Sequence, residues 1–135
     1  MKFEFAPDVH AKVEDIVQKL NLNHIDSKRI FCIRSFNSKA RAYARIWPLS
    51  KVWQKCLGIR AHYIIEVIQQ HYEKLPDDEK EKVLIHELLH IPKNFSGAVL
   101  NHSSTCFDGK GDRITRRIDR RTVESYYKKY KEASI

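Results

Sequence analysis

The segment KVLIHELLHIP, residues 82–92, constrains this chain more than any other stretch. Val83, Leu84, Ile85, Leu88, Leu89 and Ile91 surround it on every side, the pattern of a helix end sunk in a core, yet His86, Glu87 and His90 stand among them. Leu75-Pro76-Asp77-Asp78 supplies a helix start, with proline suited to the first turn and two carboxylates at the positive end of the dipole. Pro92 stops the helix by disfavouring helical backbone at Ile91. The predicted helix therefore covers residues 76–90, solvated over DDEKEK and apolar after it.

His86 and His90, one turn apart, project side by side, and Glu87 sits about 100 degrees round from His86. Burying two imidazoles and a carboxylate without compensation is costly, and a metal ion removes that cost. The arrangement is H-E-x-x-H: two imidazoles on adjacent turns chelate one Zn2+, and the glutamate takes a proton from a water whose pKa the metal lowers from about 16 to about 7. A zinc ion that keeps one position open for water needs a third protein ligand. His102 is the first candidate, because KNFSGAVLNH turns at Ser96-Gly97 and brings a histidine back twelve residues after His90. Cys106, Asp108 and, on the last helix, Glu124 are the alternatives. Tyr63, Arg60 and His62 are candidates for stabilising an oxyanion, though each reads more readily as an ordinary sheet or surface residue.

The run HELLHIPKNFSGAVLNH resembles the signature of the phage and archaeal metallopeptidase family, in which H-E-L-L-H-I-P is followed by F-S-G and a further histidine; it is more distantly similar to SprT-like zincins. With GIRAHYIIEVI upstream as the strand leading to the helix, the resemblance covers about a third of the chain. It implies a minimal zincin fold, with His86, His90 and His102 matching the metal ligands, Glu87 the catalytic base, and a peptide or protein as substrate. The metzincin pattern is absent, since position 96 is Ser, and no cysteine pair could build the zinc ribbon many SprT-like proteins carry.

The remaining elements follow from periodicity. Val9, Val13, Ile16, Val17 and Leu20 mark one face of a helix opening near Pro7-Asp8 and closing by Asn21. RIFCIRSF and RAYARIW, β-branched and aromatic around the turn-rich NSKA, read as two strands and suggest a hairpin. PLSKVWQKCLG fits a short helix with Leu49, Val52, Trp53 and Cys56 inward and Gly58 as its stop, before a strand IRAHYIIEVI. DRRTVESYYKKYKEA reads as a final helix capped by Asp119, with Val123, Tyr126, Tyr127 and Tyr130 inward. The fold expected is α+β: one domain over residues 1–135, a small and mainly antiparallel sheet packed on the N-terminal helix and the HExxH helix, with a basic C-terminal helix.

A length of 135 residues suits one core, and no apolar run reaches a membrane span. With no secretory signal and three scattered cysteines, a cytoplasmic protein with reduced thiols is the expectation. The net charge of +8 favours anionic partners. Residues 110–131 hold nine Lys or Arg against three acids, interleaved with tyrosines, so Arg116, Arg117, Arg120 and Arg121 are candidate phosphate contacts for a nucleic acid. Besides a zinc peptidase, the sequence leaves open a nucleic-acid-associated binding module with a structural or vestigial zinc, and a zinc hydrolase of another kind.

Overall fold

The computed structural model describes residues 1–100, 103–107 and 113–134, and the side chains of 1–100 and 118–134. Along the chain come β1 (Lys2–Phe5), α1 (Pro7–Lys19), a 3₁₀ turn (Ser27–Arg29), β2 (Ile30–Phe36), β3 (Ala44–Pro48), α2 (Lys51–Leu57) and β4 (Tyr63–Ile68). Then follow α3 (Gln69–Tyr72), α4 (Asp77–Leu89), β5 (Ser103–Phe107), β6 (Arg113–Arg117) and α5 (Arg120–Ala133). The architecture is α+β, as the patterning predicts.

Four strands form a sheet in the order β1-β2-β4-β3. β1 runs antiparallel to β2, and β3 antiparallel to β4, while β2 and β4 are parallel. The sheet is thus mainly antiparallel, but the hairpin expected between RIFCIRSF and RAYARIW does not form, because β4 lies between those strands. The reason is burial. Ile65 and Val67 on one face of β4 and Glu66 and Ile68 on the other are all fully buried, so this strand belongs in the middle of the sheet. β5 and β6 pair with each other as a separate two-stranded ladder.

One face of the sheet carries the core. Ile30 and Cys32 of β2, Ala44 of β3, and Tyr63, Ile65 and Val67 of β4 meet Val9, Val13 and Ile16 of α1, Leu84, Ile85 and Leu88 of α4, and Val123 and Tyr130 of α5. α1 opens with Pro7 in its first turn, and α5 is capped by Asp119, whose carboxylate accepts from the Thr122 amide at 2.9 Å. Tyr126 and Tyr127 pack at the edge of the same core, as their helical spacing predicts.

α2 departs from expectation. Gly58 does terminate it, in the left-handed region at φ 67°, but Val52, Trp53 and Cys56 are exposed rather than inward. The helix is held by the polar Gln54, whose side-chain amide donates to the carbonyls of Leu49 at 2.8 Å and Ser96 at 3.0 Å. Among the described residues, no helix is long and apolar enough to cross a membrane.

Candidate metal centre

α4 begins beyond Pro76 with Asp77, Asp78 and Glu79 at the positive end of its dipole and runs to Leu89, with His90 continuing the helical backbone as its cap. Leu84, Ile85, Leu88 and Ile91 are almost wholly buried, which fixes the rotation of the helix and with it the direction of the polar residues between them. His86 and His90 then lie one turn apart with ring centroids 5.0 Å apart. Their Nε2 atoms approach to 3.3 Å.

The tautomer of His90 is set by its other nitrogen. Nδ1 lies 2.5 Å from the Leu100 carbonyl, which can only accept, so Nδ1 carries the proton and Nε2 of the neutral ring presents its lone pair. The Leu100 amide in turn donates to the His90 carbonyl at 2.7 Å, so the backbone returning after Pro92 is fastened to the end of the helix at both groups. A carbonyl bonded to the distal nitrogen is the common second-sphere partner of a metal-binding histidine.

That return loop explains the F-S-G residues. Phe95, at φ 46°, packs edge-on against Tyr63 with centroids 5.0 Å apart and lies beneath the Arg29 guanidinium. The Tyr63 hydroxyl donates to the Ala98 carbonyl at 2.7 Å and accepts from the Gly97 amide at 2.9 Å. Gly97 sits at φ 93° against the Leu49 carbonyl and Gln54, where a Cβ would collide with both. Tyr63 is therefore a buried anchor for this loop, its hydroxyl already engaged in both directions.

Two ligand bonds of 2.0–2.1 Å at a tetrahedral angle place their nitrogens about 3.3–3.4 Å apart, so the imidazole pair fits a tetrahedral metal ion. Among the described residues no group of three metal-ligating side chains converges. His102 and Asp108 lie outside the described residues, as does the side chain of Cys106 on β5. Glu124 borders the same cleft as His86 but is ion-paired with Lys82 at 3.0 Å.

Glu87 is buried to 7% exposure, and burial pushes its carboxyl up to about 8. With His86 it lines an open cleft of about 730 Å³ between the start of β3, α4 and the first turn of α5. Tyr43 and Ala44 form one wall, and Arg120 and Glu124 the other. Neither Arg60, His62 nor Tyr63 borders this cleft; the cations that do are Lys82 and Arg120. The place of Arg120 was hidden in the sequence, since only the packing of α5 on α4 brings position 120 near position 87. Arg120 and Arg121 are exposed, while the side chains of Arg116 and Arg117 on β6 lie outside the described residues. Of the tyrosines of α5, Tyr126 and Tyr127 lie at the edge of the core and Tyr130 within it: Tyr130 donates to Asp15 at 2.5 Å and Tyr127 to Glu81 at 3.4 Å.

No curated protein and no solved structure matches the chain. A family model does, and its description implies a metal ion and a peptide or protein substrate. Over residues 1–131 the chain matches the model described as "Putative phage metallopeptidase", and it belongs to that family.

Proposed function

We propose that the protein is a zinc-dependent peptidase in which His86, His90 and His102 hold the metal and Glu87 is the general base. The observation that carries this reading is the convergence of two Nε2 atoms at tetrahedral spacing beside a buried carboxylate on the same helix. Chain connectivity supports His102: Leu100 is bonded to His90, and two further residues reach at most about 7 Å. Zinc, when bound, lowers the pKa of water and polarises a carbonyl. Glu87 takes the proton of the attacking water on its carboxylate and delivers it to the leaving amine nitrogen. Burial alone disfavours the ionised form of this carboxyl, and a bound metal cation would favour it. β3 is the outer strand nearest the site, contacts α4, and among the described residues pairs only with β4. A substrate strand added to its open edge by main-chain hydrogen bonds is led past His86 and Glu87.

Glu87→Gln tests the mechanism, because it preserves shape and removes the base. Zinc content by elemental analysis should stay at about one per chain, while cleavage of an unfolded protein substrate falls by about 10² or more. Undiminished cleavage removes Glu87 from the mechanism.

A second reading, contact with nucleic acid through Arg116, Arg117, Arg120 and Arg121, is supported by the exposure of Arg120 and Arg121 on the first turn of α5. It requires the affinity of the chain for duplex DNA to fall when these four are replaced by Glu.

A further inference from the structure

The helices of the core pack on one face of the four-stranded sheet, and the opposite face is built differently. Strand registry places Phe5, Ile33, Glu66 and Arg45 in one row across β1, β2, β4 and β3, and Phe31, Ile64 and Trp47 in the next. Four aromatic rings on this face are open to solvent: Phe3, Phe5 (76% exposed), Phe31 (47%) and Trp47 (44%). Two are held rigidly. Trp47 donates from Nε1 to Glu66 at 2.7 Å and lies under the Arg45 guanidinium, 4.9 Å from its ring. Phe31 stacks on the His62 ring at 5.9 Å and 17°.

Charge is segregated onto the same part of the chain. Residues 27–72, which supply β2, β3, β4 and their connections, contain nine Lys or Arg and a single acid, Glu66; the rest of the chain has equal numbers of both signs, so this stretch accounts for the whole net charge of +8. Glu66 is fully buried beneath Arg45 and Trp47 and presents no negative charge to solvent. Arg29 and Arg34 turn to Asp26 and Asp8. Of the rest, Lys39 and Arg41 are exposed where β2 leads to β3, Lys28 and Arg60 at the opposite end, Lys51 and Lys55 on α2, and Arg45 is half-buried at the centre, paired with Glu66.

We propose that the exposed aromatic residues of this sheet face bind single-stranded nucleic acid, with bases stacked on Phe5, Phe31 and Trp47 and phosphates met by Arg41 and Arg60. Exposed rings on a sheet, two of them held in place, suit the planar faces of unpaired bases, which a duplex hides. The three strand spacings from β1 to β3 span roughly 14 Å, enough for about two or three nucleotides laid side by side across the sheet. A second copy of the chain is a poor occupant, since it would set this cationic face against its like.

The experiment is fluorescence anisotropy of the full chain with labelled twelve-residue oligo(dT) and oligo(U) at low salt. Binding should exceed that of a duplex of equal length and fall with salt at a log-log slope of about −0.7 per phosphate met. Phe5→Ala combined with Phe31→Ala should weaken it by about 10-fold or more, with circular dichroism unchanged. Arg41→Glu with Arg60→Glu should weaken it and flatten the salt slope. The proposal is overturned by absence of binding at low salt, by affinity that survives both pairs of changes but disappears with Arg120→Glu and Arg121→Glu, or by tighter binding to anionic phospholipid vesicles. Dimerisation that the aromatic changes abolish while oligonucleotide affinity persists overturns it as well. None of these outcomes bears on peptide cleavage.

Discussion

At the scale of single residues, the site depends on a glycine that touches no ligand. Gly97 lets the return loop approach the Leu49 carbonyl at a φ of 93°, and the loop delivers Leu100 to His90. Gly97→Ala meets both a backbone collision and a left-handed conformation, so it should destabilise the protein by about 2 kcal/mol or more and lower metal affinity along with stability. Calorimetry with and without metal measures both effects, and a variant as stable as wild type would show that the loop can settle elsewhere. His90 gives the complementary prediction. Zinc at about a thousand times its dissociation constant should stabilise the wild type by about 4 kcal/mol. His90→Ala should show little of that gain, because one of the two described donors is gone. The placement of His86 and His90 side by side on one helix, with Glu87 next to them, was legible from their spacing alone. The Leu100 carbonyl that orients His90 was not, since every residue carries a carbonyl and only the fold selects one.

Among elements, β4 carries the least ordinary group in the interior, the carboxylate of Glu66. Burial opposes its ionisation most strongly, yet Arg45, at 2.9 and 3.3 Å, and Trp47 outweigh that and hold the carboxyl below its usual value. A carboxyl with a depressed folded pKa contributes stability above its unfolded pKa and loses it as pH falls through the folded value. Glu66→Gln should therefore cost about 1–3 kcal/mol near neutral pH, and the two proteins should converge in urea midpoints below about pH 4. A constant difference across that range would show that the charge of Glu66 is not what stabilises the strands. The same element shows why pairing was misread. α1, α4 and α5 were legible because each helix presents a stripe to one core, and a stripe is a local pattern. Strand order is not local: β2 and β3 are neighbours in sequence, but only the two-sided burial of β4 puts it between them. The apolar residues of α2 were assigned inward on spacing, whereas a glutamine anchors that helix and its tryptophan faces water. β1 was overlooked because four residues, Phe3 and Phe5 alternating with Lys2 and Glu4, are too short a run to separate from chance.

For the whole molecule, one layer of helices on one sheet face means that sheet and helices share a single core, and they should unfold together. α5 is the element that tests this, because it packs on α4 and α1, which join it to the rest of the core. Tyr130 is buried and donates to Asp15 of α1, and Glu81 of α4 lies between Lys12 of α1 at 3.1 Å and Lys131 of α5 at 3.5 Å. Tyr130→Ala removes a large buried ring together with the bond to Asp15 and should cost about 3–5 kcal/mol. That is a large share of the 5–15 kcal/mol typical of a domain. Tyr126→Ala, at the edge of the core, should cost markedly less. The decisive readout is coincidence. Far-ultraviolet circular dichroism follows the helices, while in a Trp53→Phe background the fluorescence of Trp47, on β3 and pinned to Glu66, follows the sheet face away from them. If one core joins the two, both signals shift together to the same lower midpoint in Tyr130→Ala. A helical signal that melts early while Trp47 holds its midpoint would mean that α5 is a separable clasp. The cleft wall formed by Arg120 and Glu124 would then open before the strands that face the proposed nucleic acid give way.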